Sequence, residues 1–384
     1  MDHLDKACKF LAGKGINICV LSSHENIVYI TGYDVPLPIG FGIDAALGLP
    51  QAFAILDVAE KKIKMVALTS LVSGIQNVPD IAVFPYTSFE NFVPSSLYKN
   101  FYNATDAALN SCRTTKKLIV GIEPNTLPKI IVDRIQILWP KAIFTDAYPD
   151  LAEARKTKSI TEIILLRKSA LAADAAQRTL NEYSKFYGAN EFEVWSKCVD
   201  AATRICGSPA IVSGELVSGP RCSVPNYPGG PKDRIIEKGD MGIMDFSVRL
   251  NGYWCDCCNT VVFGAKPTKH QEFYSNVTKN AFDIMINTIR PGIKCSEVYA
   301  VAEKTYKRYA QPIPHYAGHQ IGCMVNETPR IVPYDNTVIE ENMVFSLEPG
   351  CYEGSEGNSG SRTEKMIHVT ASGCEALNDF EWGI

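Results

Sequence analysis

Apolar and polar positions change rhythm twice along this chain. Near the start, Leu4, Ala7, Cys8 and Leu11 fall on one helical face; Asp2 is placed to cap that helix, and Gly13 and Gly15 to end it. Short apolar runs rich in β-branched residues follow at 16–23, 27–33, 52–58, 62–69 and 118–123, and they predict buried strands. Residues 34–50, DVPLPIGFGIDAALGLP, are dense in Pro and Gly and predict a loop. The second change comes near residue 153. Ser159 followed by Glu162 makes a capping-box signature before a long amphipathic stretch of strong helix formers. Beyond it, helical periodicity at 268–288 and 295–309 alternates with strand character at 242–248, 252–263, 343–347 and 364–370. The pattern predicts an α/β (α+β) protein with domains at 1–153 and 154–384.

Bulk properties narrow the function. A chain of 384 residues is too long for one ordinary core and fits two domains. A net charge of −4 gives no electrostatic reason to expect nucleic acid or an anionic membrane as partner. No apolar run reaches the roughly 18–20 residues that span a bilayer. The N-terminus mixes acids and bases without an apolar core, so it does not read as a signal peptide and a cytoplasmic protein is expected. The thirteen cysteines are then expected as reduced thiols. Cys255, Cys257 and Cys258 flank Asp256, which raises a thiolate metal site as one reading. Strand alternation turns Cys255 and Cys257 away from Asp256, and small apolar filling is the plainer one.

Five residues in the last 140 carry the candidate chemistry. Asp245 lies in an apolar run, where a carboxylate is costly unless paired or metal-bound. Asp256 follows after Asn251-Gly252, a hairpin signal able to bring the two aspartates together. His319 lies in HYAGHQIG, bracketed by Gly318 and Gly322, small residues that let a backbone come close to a cofactor or substrate. Glu348 precedes a proline and ends an apolar run; Glu364 precedes another. Singly, each reads as a surface or strand-end polar group. Together, four carboxylates and an imidazole form an oxygen-rich donor set suited to Mn²⁺, or to a Co²⁺ or Zn²⁺ pair. Two such ions about 3.5–4 Å apart can run hydrolysis at neutral pH.

The motifs YITGYD, ARKTKSITEI, GDMGIMDFSVRLNGYWCDC, RPGIKCSEV, HYAGHQIG, LEPGCY and SRTEK, in this order, resemble the creatinase, prolidase and aminopeptidase P family (metallopeptidase M24) along nearly the whole chain. The resemblance implies a small N-terminal α/β domain and a catalytic domain with the pita-bread fold shared with methionine aminopeptidase. It implies two divalent metal ions: Asp245 on one, Asp256 and Glu364 bridging, His319 and Glu348 completing the other, with Glu348 moving the proton of a bridging hydroxide. His315 would lie near the substrate, and Arg362 would support the ligands or touch the substrate. A homodimer is implied, with segment 34–50 as the part expected to reach a partner's active site.

The chain also departs from the family pattern. Asn226 stands in SVPNY where a family peptidase carries His, and Asn326 stands seven residues after His319 where a second His is usual. Asparagine hydrogen-bonds but does not shuttle protons near pH 7. Asn259 replaces an Arg and Lys365 replaces an acid. The expected function is therefore Xaa-Pro peptidase-like cleavage of a small peptide or amide. The alternatives are hydrolysis of a non-peptide C–N bond, as in creatinase or ectoine hydrolase, and a binding protein on the same fold without catalysis.

Overall fold

The computed structural model describes residues 3–35, 49–88, 90, 94, 96–208, 210–225 and 229–384. The Asp2 cap, most of the 34–50 loop and Asn226 lie outside the described residues. The chain forms two compact units, Met1–Arg155 and Lys156–Ile384.

In the first unit, apolar runs pair into one mixed sheet. Its strands are β1 (Ile18–Leu21), β2 (Ala52–Asp57), β3 (Lys62–Leu68), β4 (Ile81–Tyr86), β5 (Ile119–Ile122) and β6 (Ile143–Asp146), in the order β4-β3-β2-β1-β5-β6. β1 runs antiparallel to β2 and parallel to β5. Helices Leu97–Asn110 and Lys129–Leu138 supply Phe101, Ala108, Ile131 and Ile135 to the core beneath it.

One expectation fails here. Within 27–33, expected as a strand, residues up to Thr31 belong to the helix His24–Thr31. Ser23 Oγ accepts the Asn26 N–H, and Gly32 at φ 69° returns its N–H to the Val28 carbonyl. Both helix ends are thus capped locally. Residues Asn26 to Thr31 are all buried, which erases the polar positions that would have betrayed a helical period.

The second unit opens with the helix Ile160–Tyr183, whose capping box between Ser159 and Glu162 is formed. Its first sheet has three strands, β7 (Ile211–Ser218), β8 (Met241–Leu250) and β9 (Tyr253–Val262), all antiparallel. Gln177 of the helix donates to the carbonyls of Met244 and Cys257 at 3.2 Å each, fixing the helix across β8 and β9. Asn251 and Gly252 both have positive φ, 52° and 81°, as a tight two-residue hairpin demands. That turn sets the register Ser247↔Asp256, so Asp245 stands diagonal to Asp256 on the same face.

After helices Lys269–Thr288 and Cys295–Arg308 come β10 (Gly318–Gln320), β11 (Glu327–Arg330), β12 (Val344–Leu347), β13 (Gly350–Tyr352), β14 (Gly360–Arg362), β15 (Lys365–Val369) and β16 (Cys374–Ala376). Five of them order as β11-β10-β12-β15-β16, and β13 pairs with β14. Cys258 and Glu364 exchange both backbone hydrogen bonds, at 3.2 and 3.0 Å, which brings this second sheet against β9. No helix among the described residues is long and apolar enough to cross a membrane.

Candidate metal centre

The three sheets of the second unit bring side chains from β8, β9, β10 and the ends of β12 and β14 to one point. Ligand atoms of Asp256, His319 and Glu364 lie within 4.8 Å of one another, and all three residues are buried. His319 Nε2 is 3.7 Å from Asp256 Oδ2 and 3.4 Å from Glu348 Oε1. Its other nitrogen, Nδ1, bonds the Gln320 carbonyl at 3.0 Å, which turns Nε2 towards the carboxylates. Asp256 Oδ1 accepts from Ser247 Oγ at 2.9 Å, and Glu364 Oε1 bonds Ser346 Oγ at 2.8 Å. Asp245 Oδ2 accepts from Arg362 Nη2 at 2.8 Å.

A cavity of about 420 Å³ opens onto this cluster, lined among others by Asp245, Asp256, His315, Tyr316, Asn326 and Arg362. His315 bonds the Tyr316 carbonyl through Nδ1 at 2.7 Å and Tyr352 OH through Nε2 at 3.2 Å. Asn326 is held through both its amide nitrogen and its amide oxygen. Its amide donates to Tyr316 OH at 3.2 Å, and its Oδ1 accepts from Arg330 Nε and Nη2 at 3.1 and 2.9 Å.

Electrostatics explains why this geometry is costly without a cation. Burial drives the Asp245 and Glu364 carboxyls well above their usual range, with Asp256 adding repulsion to each. Burial also pushes Glu348 up to about 7. For Asp256 burial acts the same way, yet hydrogen bonds and charge from His319 outweigh it and hold this carboxyl below its ordinary value. Burial depresses His319, but Asp256 and Glu348 more than reverse the effect. Burial takes His315 down to about 4, so it stands in the cavity as a neutral ring. Among the described residues, Glu348 Oε1 and Glu364 Oε2 are buried without a hydrogen-bond partner. Buried carboxylate oxygens seldom go unpartnered, and an oxygen-seeking divalent cation would satisfy both. The residues present therefore fit such ions.

The remaining expectations sort by location. Asn226 lies outside the described residues. Cys255 bonds towards Asn378 and Cys257 towards Phe246, on the face of β9 opposite Asp256, and among the described residues no thiol joins the cluster. Asn259 donates to Asn181 and accepts from the Gly383 N–H. The Lys365 ammonium sits over the rings of Phe380 and Trp382. These two departures thus serve packing beside the C-terminal segment. The glycines around His319 also need correction. A Cβ on Gly318 would meet the Ser346 carbonyl at 2.5 Å, and one on Gly322 the Glu327 carboxylate at 2.9 Å. They admit a neighbouring strand and side chain rather than a ligand. Sequence reading missed Glu215, Ser247, Tyr316, Ser346 and Tyr352. Only the cross-strand register or the folded cavity reveals them.

The model of metallopeptidase family M24 matches residues 165–371, more than half of the chain and all five clustered residues. The chain belongs to metallopeptidase family M24. Among its relatives, the Xaa-Pro dipeptidase of Pyrococcus furiosus is 26% identical over 99% of this chain and 98% of its own length. In fold, the crystal structure of the Pyrococcus horikoshii prolidase matches with a TM-score of 0.79 at 23% identity, covering 100% of this chain and 99% of that one. The X-Pro aminopeptidase of Thermotoga maritima matches at 0.77 and 19%, covering 100% and 99%. The M24 pita-bread fold and its small N-terminal α/β companion are therefore those expected from the motifs.

Proposed function

We propose that this M24 chain is a metal-dependent peptidase that cleaves small Xaa-Pro peptides, with catalysis carried by residues 154–384. The observation that carries the metal part is the buried cluster with two unpartnered carboxylate oxygens. The names of the relatives, Xaa-Pro dipeptidase and prolidase, support the substrate class. Asp245, Asp256, His319, Glu348 and Glu364 would hold two divalent ions, manganese first, with cobalt or zinc also suited to these donors. When bound, the ions supply a water activated at neutral pH and Lewis-acid polarisation of the scissile carbonyl.

The chain's own groups do the rest. Glu348, whose Oε1 is 3.4 Å from His319 Nε2, would take a proton on the carboxylate oxygen the ions leave free and return it to the leaving amine. His315, a neutral ring on the cavity wall, offers the substrate hydrogen bonding without charge. Arg362 holds Asp245 in place through Nη2 and Tyr352 through Nη1. Asn326 acts through its grip on Arg330 and Tyr316, and Asn226 is assigned the other substrate-side position.

The test is incubation of manganese-loaded protein with Xaa-Pro dipeptides and with longer Xaa-Pro-Xaa peptides. Release of proline from dipeptides alone is the expected result. Cleavage of the longer peptides would redirect the reading to an aminopeptidase. Protein that binds metal yet cleaves neither would overturn the peptidase reading and favour a non-peptide C–N substrate.

A further inference from the structure

A sixth carboxylate lies behind the cluster. Glu215 stands directly opposite Asp245 in the β7–β8 register and is only 2% exposed. Two like charges in a buried cross-strand pair repel. The arrangement is nevertheless built with care. Gly214, at φ 129°, lets β7 approach so closely that a Cβ there would meet the Asp245 carbonyl at 2.2 Å. Glu215 Oε2 accepts the Gly229 N–H at 2.6 Å, and Oε1 accepts from Arg362 Nη2 at 2.7 Å. The same Nη2 donates to Asp245 Oδ2 at 2.8 Å. One terminal nitrogen, with two hydrogens, thus serves two carboxylates. Both oxygens of Glu215 are occupied, so its rotamer is fixed and it cannot swing into the cavity.

The charge count gives this pairing a purpose. Asp245 with Arg362 alone would be a neutral pair, and a carboxylate neutralised by guanidinium is a poor ligand for a cation. With Glu215 sharing the guanidinium, the three groups carry one net negative charge, and Asp245 keeps its donor strength. We infer that Glu215 is a positioning residue that draws off the charge of Arg362, so that Asp245 remains a ligand for a divalent ion. The inference rests on the metal-dependent reading above.

It is tested on the full-length protein by competition between Mn²⁺ and a fluorescent chelator, with circular dichroism and Tm recorded on the metal-free protein. Glu215→Gln keeps the shape and removes the charge. The expected result is a metal-free protein with unchanged circular dichroism and a dissociation constant for the weaker Mn²⁺ raised about tenfold, the usual scale for a partner of a ligand. Should Glu215→Gln fail to fold, Arg362→Met and Glu215→Gln/Arg362→Met are compared instead. Because Glu215 acts through Arg362, the second substitution should change affinity by less than about twofold in that background. Wild-type affinity in Glu215→Gln, or a tenfold loss in the Arg362→Met background, overturns the inference. A wild-type protein that binds no Mn²⁺ instead overturns the metal-dependent reading itself.

Discussion

Both units bury a carboxylate, and the two are treated in opposite ways. In the first unit Glu123 is 1% exposed and surrounded by donors. It accepts from the backbone N–H groups of Ser22 and Ser23 at 2.6 and 2.9 Å, from Ser23 Oγ at 2.5 Å and from Asn26 Nδ2 at 2.5 Å. Arg155 in turn donates to the side-chain oxygen Oδ1 of Asn26. Each oxygen of that carboxylate has two donors, and the network fixes the start of the helix His24–Thr31. In the second unit, Glu348 and Glu364 are also buried, yet each leaves one oxygen without a partner among the described residues, beside three further carboxylates and the Arg362 guanidinium. A buried charge kept for structure is satisfied by the chain itself. A buried charge kept for chemistry is left short, and the deficit is what a cation fills.

The comparison is broken most forcefully by removing a shared ligand. Asp256→Ala or Glu364→Ala should abolish Xaa-Pro hydrolysis, a loss on the order of 10³-fold or more, since several kcal/mol of transition-state stabilisation go with the ions. Glu364→Ala should also leave the metal-free protein as stable as wild type or more so, because a carboxylate repelled by Asp256 is gone. Activity assays beside thermal melts in chelator check both halves; a large fall in metal-free Tm of Glu364→Ala would mean that this side chain is structural. Glu123→Ala should do the reverse. It strands four donors and should cost about 3–5 kcal/mol in urea unfolding of the first unit, with ligand-free and metal-loaded protein equally affected.

A smaller effect follows the pH dependence of Glu348. Folding raises Glu348 from the ordinary 4.5 to about 7. Its contribution to the stability of the metal-free protein is therefore fully present below pH 4.5 and is lost as pH climbs through 7. Tm of metal-free protein should fall between about pH 5 and about pH 8, and Glu348→Gln should flatten that fall. A slope unchanged by the substitution would remove Glu348 from the account. The smallest effect is expected at the cavity wall. Asn326→Ala frees Arg330 and Tyr316 and should raise KM about three- to tenfold, the scale of one or two lost hydrogen bonds, while leaving manganese content at the wild-type level. Loss of metal in this variant would place Asn326 among the ligands' supports instead.

Much of this contrast could be read before the fold was known, and what escaped did so for physical reasons. The hairpin that aligns Asp245 with Asp256 is written locally in Asn251-Gly252, and the long helix announces itself through Ser159 and Glu162. His319, Glu348 and Glu364 are chemically conspicuous residues in apolar or glycine-bracketed surroundings, so their types alone suggested a cation. Residues 27–31, read as strand, misled because a helical stretch buried on all sides shows β-branched residues without a period. Gly318 and Gly322 were given a ligand to admit when they admit the Ser346 carbonyl and Glu327. Glu215 was invisible because nothing near it in the chain explains it. Its meaning depends on the register Glu215↔Asp245 and on Arg362, 147 positions away.

Titration of chelator-treated protein with Mn²⁺ in a calorimeter, repeated in buffers of different ionisation enthalpy, tests the central claim most directly. Two ions should bind per chain, and binding should release protons near pH 7, because carboxyls held high by burial must ionise to become ligands. Heat without proton release would contradict the strained state assigned to these carboxyls, and no heat at all would contradict the metal centre.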